Sequence, residues 1–159
     1  MKRAYLLLLL GWVPLAAQNA VEQPFMISIT APSPIVKAGS DVWINVRLTN
    51  HSHIDLNESG SISSMTGLDP NLAFDVRDTL GNLTAKRVYE HPELATGKPI
   101  NRFLKPGETL MEQQNIAGVY DMSKPGKYVV QVSRALSEGE QRGVVKSNKV
   151  TIAVTPGLP

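Results

Sequence analysis

Wherever this chain is patterned, its apolar residues recur at every second position, and no stretch of ten or more residues keeps a helical period. A period of two places alternate side chains on opposite faces of an extended strand, so it predicts strands with one buried face. The cleanest case is Asp41 to Thr49, where Val42, Ile44, Val46 and Leu48 share one face and Trp43, Asn45, Arg47 and Thr49 the other. A second case follows Pro125-Gly126, where Tyr128, Val130 and Val132 alternate with Val129, Gln131 and Ser133. Proline pre-sets φ and glycine tolerates positive φ, so Pro-Gly marks a turn, here one that feeds a strand opening on tyrosine. Such a corner predicts that the Tyr128 hydroxyl reaches back to a backbone group in Asp121 to Lys124.

The remaining segments fit the same scheme. Phe25 to Thr30 reads as a strand, with Phe25, Ile27 and Ile29 on one face. Pro32 and Pro34 then exclude a central strand, because proline has no N–H to give to a ladder. A short strand is expected within Ser61 to Met65, and another within Ile100 to Leu104. Leu72 to Arg77 is expected to form a hairpin with Leu83 to Tyr89 through Gly81-Asn82. Thr109 to Asn115 and Lys149 to Val154 complete the set, with Ser137 to Gly143 as a loop before the last strand. Short strands divided by Gly and Pro turns predict an all-β fold, an immunoglobulin-like antiparallel β-sandwich of roughly 7–9 strands. Val42, Ile44, Val46, Leu48, Phe74, Val76, Tyr128, Val130, Val132, Val150 and Ile152 are its expected core.

The first 17 residues stand apart. Lys2 and Arg3 precede an apolar run with five successive leucines, and Leu15-Ala16-Ala17 offers small residues for a cut. This reads as a secretory signal peptide, cleaved after Ala17 or as late as Ala20. A membrane anchor is the competing reading, but Gly11, Pro14 and Gln18 leave the run short of the roughly 20 apolar residues a span needs. The expected organisation is a signal peptide over 1–17, one β-sandwich domain over 21–155 and a frayed tail over 156–159, in a secreted or periplasmic protein. Removing Lys2 and Arg3 leaves 14 basic against 14 acidic residues, and no basic stripe of the kind nucleic acid requires is present. The chain has no cysteine, which excludes disulfides and thiol chemistry and leaves stability to the core.

Chemistry-bearing motifs are few. His51 and His53, two apart, would face the same way on a strand, and with His91, Asp55 or Glu58 could grip a metal. The competing reading is a pair of exposed loop histidines, and no metal or other cofactor is expected. There is no Gly-x-Ser-x-Gly elbow, and Asp75/Asp78 and Glu138/Glu140 fall at strand ends or in loops, so no catalytic residue is assigned. Asn50-His51-Ser52, Asn57-Glu58-Ser59 and Asn82-Leu83-Thr84 match the N-glycosylation acceptor pattern. Trp43, Arg47, Asp75 and Arg77 could form a binding sheet face, since aromatic and arginine side chains are enriched at binding hot spots.

Four blocks in order carry a resemblance. Val46-Arg47-Leu48-Thr49-Asn50-His51-Ser52, Phe74-Asp75-Val76-Arg77-Asp78-Thr79-Leu80-Gly81-Asn82, Leu104-Lys105-Pro106-Gly107-Glu108-Thr109 and Pro125-Gly126-Lys127-Tyr128-Val129-Val130 together resemble the BsuPI-like proteinase inhibitor family, over about residues 41–135. The resemblance implies a small β-sandwich and, as an activity, proteinase inhibition. No inhibitory residue carries over. The family's frequent Trp after the hairpin turn is replaced here by Leu83-Thr84-Ala85-Lys86. The leading expectation is an exported, non-enzymatic domain that binds a protein or another extracellular macromolecule. The alternatives are a BsuPI-like proteinase inhibitor and a small metal-binding protein or hydrolase.

Overall fold

The computed structural model describes residues 23–136 and 143–157. The expected signal peptide, most of the Ser137–Gly143 loop and the last two residues lie outside them. The fold is all-β. Its strands are β1 (Phe25–Thr30), β2 (Ile35–Lys37), β3 (Trp43–Asn50), β4 (Leu56–Asn57), β5 (Gly60–Ser63), β6 (Ala73–Asp78), β7 (Gly97–Ile100), β8 (Phe103–Leu104), β9 (Thr109–Asn115), β10 (Gly126–Ala135) and β11 (Val144–Thr155). Among the described residues, helical backbone is confined to 3-10 turns at Pro92–Leu94 and Ile116–Gly118.

Two main sheets face one another. One has the order β1-β3-β9 and the other β2-β11-β10-β6. The alternation explains why they close on a shared core. Phe25, Ile27 and Ile29 of β1 and Ile44, Val46 and Leu48 of β3 are buried against Val76 of β6, Tyr128, Val130 and Val132 of β10, and Ile152 and Val154 of β11. Each large aliphatic or aromatic side chain so buried contributes about 1.5–3 kcal/mol. The expected core is present, with Phe74 and Val150 packed against it and only partly buried.

Three features differ from the sequence reading. β2 runs parallel to β11, Ile35 beside Ala153 and Lys37 beside Thr155, so the pairing is not wholly antiparallel. Pro32 and Pro34 end the β1 ladder and the chain crosses to the second sheet there. The expected strand Leu83 to Tyr89 does not form. Gly81 turns the chain with φ +86, but the return strand is reduced to a bridge between Leu83 and Arg77, flanked by the Thr84 N–H to the Val76 carbonyl and the Asp78 N–H to the Asn82 carbonyl. Leu83 and Val88 point into solvent, so no apolar stripe rewards extension of that ladder. The last strand starts five residues earlier than expected, at Val144, and its pairing with β10 slips between Gln131 and Ser133. At this bulge Ser147 Oγ accepts from the Val132 N–H (2.9 Å), and the neighbouring Asn148 is turned toward β1.

Past Asn50 the β3–β9 ladder continues as a narrower ribbon, in which β4 pairs with β8 and β5 with β7, all antiparallel. Asn50 is the pivot. Its fully buried amide donates to the Ile54 and Leu104 carbonyls (2.8 and 2.7 Å) and accepts from the Ser52 N–H and hydroxyl (2.9 and 2.7 Å), which satisfies its whole hydrogen-bonding capacity. Further along, Pro70 packs where a side chain on Gly60 would lie, at 2.7 Å from an ideal Cβ, so the ribbon needs glycine there. The corner before β10 forms as expected: the Tyr128 hydroxyl donates to the Lys124 carbonyl (2.8 Å). A second tyrosine, Tyr120, ties the crossing segment to β6 by donating to the Phe74 carbonyl.

Candidate functional site

The four residues expected to share one binding face are divided between the two sheets. Trp43 and Arg47 lie on β3, Asp75 and Arg77 on β6, and all four alternate with core residues. They therefore point away from the core on opposite sides of the molecule. Period-two parity says that a residue faces outward but not from which sheet. The β6 pair is occupied locally: Arg77 Nε donates to Asp75 (2.7 Å) and its Nη1 to the Gly81 carbonyl (3.0 Å). That arrangement holds the turn after β6. Arg47 is exposed and enters none of the ion pairs among the described residues.

The outer face of β1-β3-β9 is where exposed apolar surface collects. Trp43 is 44% exposed, Met26 48% and Met111 69%, each on the outward parity of its own strand. Met111 is paired directly across from Arg47. On either side of that pair lie polar cross-strand contacts, in which Gln113 Nε2 donates to Asn45 (3.0 Å) and the Thr49 and Thr109 hydroxyls meet at 3.0 Å. At the Trp43 end this face drops into an open groove of about 330 Å³, lined by Ile35, Lys37, Asp41, Trp43 and Gln113 among others. The groove combines one aromatic ring, an exposed isoleucine, charges of both signs and an amide. That is the mixture of apolar walls with a few placed polar groups expected of a binding site.

The histidines do not converge. His51, His53 and His91 are all exposed, and His91 Nδ1 sits 3.1 Å from Glu93. Among the described residues no three His, Asp or Glu side chains are grouped so as to hold a metal. Of the three N-glycosylation patterns, Asn50 is fully buried with its amide nitrogen engaged, while Asn57 and Asn82 are exposed.

A buried charge cluster escaped the sequence reading. Arg134 and Glu58, 5% and 1% exposed, form a close ion pair, and Arg134 Nη2 also donates to the Asn57 carbonyl (2.8 Å). The Arg134 guanidinium lies over the Phe25 ring at 5.3 Å, within cation–π range. Nearby, Arg102 reaches Glu112 (2.6 Å) and the buried Asp69 (3.3 Å). Burial pushes the Glu58 carboxyl above its ordinary range against the pull of Arg134, and burial does the same to Glu112 against Arg102. The chemistry is a clasp: each carboxylate has a guanidinium, and the pairs fix the ribbon through Glu58, between β4 and β5, to β10 and through Arg102, between β7 and β8, to β9. The signal was present. Arg134 continues the inward parity of Tyr128, Val130 and Val132, and Glu112 and Gln114 continue that of Leu110.

Neither the protein-family models nor the curated proteins compared with the chain match it. Among solved structures it is similar to a family 123 glycoside hydrolase from Clostridium perfringens, described in terms of glycolipid glycan hydrolysis, at 11% identity and a TM-score of 0.39. The likeness covers 86% of this chain and 28% of that one, so the chain spans little more than a quarter of that enzyme's length. A likeness this slight carries no argument about function.

Proposed function

We propose that the protein is an exported, non-enzymatic binding domain on an immunoglobulin-like sandwich, and that it meets its macromolecular partner with the outer face of β1-β3-β9. One observation supports the reading above the rest: Trp43, Arg47, Met26 and Met111 share that face, beside the Trp43 groove. Trp43 is left nearly half exposed on a strand that buries every alternate residue, and it lies outside the core cluster. Tryptophan and arginine together are the side chains most often found to carry binding energy. Export rests on the Met1 to Ala17 leader pattern, and with no cysteine the exported domain is held by its core rather than by disulfides.

The test uses the chain from Gln18 onward. Trp12 belongs to the leader, so Trp43 is then the sole tryptophan and reports directly on the face. Exported proteins of the same source are passed over the immobilised domain, and any captured partner is titrated while Trp43 fluorescence is followed. The partner is expected to shift the emission, and the double variant Trp43→Ala, Arg47→Ala to lose capture. Equal capture by the double variant, with loss in Asp75→Ala, Arg77→Ala instead, would move the site to the other sheet. Slowing of a proteinase in a parallel panel would replace this reading with inhibition.

A further inference from the structure

The two main sheets have four outer edges, and three of them are blocked in part or cut short. The register makes this explicit. Asn50 N–H bonds Glu108 and Ile116 N–H bonds Val42, so the even-numbered residues of β9 direct their backbone groups at β3. By the same parity Phe25, Ile27 and Ile29 of β1 direct theirs outward, and there Asn148 intervenes. Its amide accepts from the Ile29 N–H (2.8 Å) and donates to the Ile29 carbonyl (3.0 Å), standing in for a neighbouring strand. β2 is three residues long and follows Pro32 and Pro34. β6 is covered by the returning chain at Asn82 to Thr84.

β9 differs. Thr109, Met111 and Gln113 hold their N–H and C=O groups away from β3, and among the described residues nothing bonds them. Buried backbone groups are almost always paired, so unpaired ones in a seven-residue strand face solvent. Lysine and proline, which often blunt an edge, are missing from Thr-Leu-Met-Glu-Gln-Gln-Asn, and its one charged side chain, Glu112, is turned inward and paired with Arg102.

We infer that β9 is a self-association edge, taken up by β9 of a second copy running antiparallel about a twofold axis at Met111. The strand is complementary to itself in that register. Met111 lies opposite Met111 of the second copy, and Thr109 opposite its Gln113. Every free N–H and C=O of these residues then finds a partner, and the two exposed thioethers cover each other. The neighbouring register, centred on Glu112, sets two Glu112 side chains opposite one another, and like charges across strands are destabilising. The Met111 register places Glu112 against Leu110 instead. A twofold pairing is closed, and the outer edges it leaves are the two β1 strands, each blocked at Ile29 by Asn148. The result is one continuous six-stranded sheet carrying two Trp43 faces on the same side. Met111 is shared between the axis and the binding face, so association is tested by mass and cross-linking, and partner capture by Trp43 and Arg47, which lie on β3 away from the axis.

The experiment is mass by sedimentation equilibrium on the chain from Gln18 onward. The wild type is expected to approach twice the monomer mass with rising concentration. Met111→Lys places a charge on the axis, and Gln113→Pro removes an N–H that the monomer does not use, so both are expected to stay monomeric with an unchanged circular dichroism spectrum. The chain has no cysteine, which makes the register testable. Met111→Cys is expected to cross-link under mild oxidation, since facing Cα atoms lie about 5.5 Å apart. Thr109→Cys is not, its mate lying about 13 Å away. A wild type monomeric up to about 1 mM would overturn the inference. So would a dimer that survives Met111→Lys, or Thr109→Cys cross-linking as readily as Met111→Cys.

Discussion

The two main sheets and the ribbon of β4, β5, β7 and β8 are ordered by different forces. In β3 and β10 nearly every inward position is aliphatic or aromatic, and burial of apolar surface sets the register: a slip of one residue would turn the whole set outward. In β4, β5, β7 and β8 few side chains are buried, and the ribbon is held by polar groups that reach far along the sequence. Asn50 grips the Leu104 carbonyl 54 residues away, and Glu58 meets Arg134 across 76. Apolar burial tolerates changes of shape among similar side chains, whereas a buried charge or amide tolerates only its own partner. The sheets should therefore fail by loss of packing, and the ribbon by loss of single named contacts.

The largest expected effect separates the two faces of β10. Val130 is wholly buried, and Val130→Asp should leave the domain unfolded by circular dichroism and thermal melting, while Gln131→Asp should fold. Similar melting of the two variants would remove the basis for the alternation and for the sheet side of the contrast.

Arg134→Met is next. It leaves the Glu58 carboxylate buried without its guanidinium, and breaking a buried pair from one side costs about 3–5 kcal/mol. Adding Glu58→Leu should restore most of that loss, because the uncompensated charge is then gone. The same pair predicts a pH dependence. Glu58 and Glu112 have folded-state values raised by burial above the ordinary 4.5. The folded protein thus holds their protons more firmly than the unfolded chain does. Their contribution is fully present below that ordinary value and is lost as pH rises through the raised values. Denaturant midpoints measured from pH 4.5 upward should show a decline that is shallower in Glu58→Gln; an identical slope would exclude Glu58 as its source.

The contrast also explains what could be read from the chain alone. Six of the seven strands of the main sheets were legible, because Phe25–Thr30, Trp43–Asn50 and their like carry period-two burial that depends on nearby residues only. β2 was not, since three residues beside prolines hold no period and its parallel pairing depends on β11, more than a hundred residues later. The clasp was hidden for a related reason. Arg134 sits on the inward parity, but a charged residue there looks like the end of a strand unless Glu58 is already known to lie opposite. Trp43 and Arg47 were identified as outward together, yet the rest of their company was not: the association with Met26 and Met111 follows from strand order, which parity does not contain.

Tyr128→Phe gives a smaller effect and probes the junction of the two regimes. The ring belongs to the core, and the hydroxyl belongs to the corner, where it donates to the Lys124 carbonyl. Removing the hydroxyl keeps the apolar packing and leaves that acceptor short of a partner, which should cost about 1–3 kcal/mol. For a domain of this size the melting temperature should fall by several degrees. Unchanged melting would mean that water replaces the bond freely and that the corner is set by Pro125-Gly126 alone.

Trp43→Ala should affect stability least and is therefore the most informative about function. Its neighbours on either side, Val42 and Ile44, are fully buried, so Trp43 tests whether a side chain on a core strand can be spared by the fold. The ring is nearly half exposed and lies outside the core cluster, and surface substitutions away from core, caps and buried pairs usually change stability by no more than about 0.5 kcal/mol. A melting temperature close to wild type, together with lost capture of a partner, would assign the ring to binding. A loss of 2 kcal/mol or more, of the order seen when a large core side chain is truncated, would show that the indole is packing against Ile35 across the groove. The groove would then be a seam of the fold, and the binding face would reduce to Arg47, Met26 and Met111.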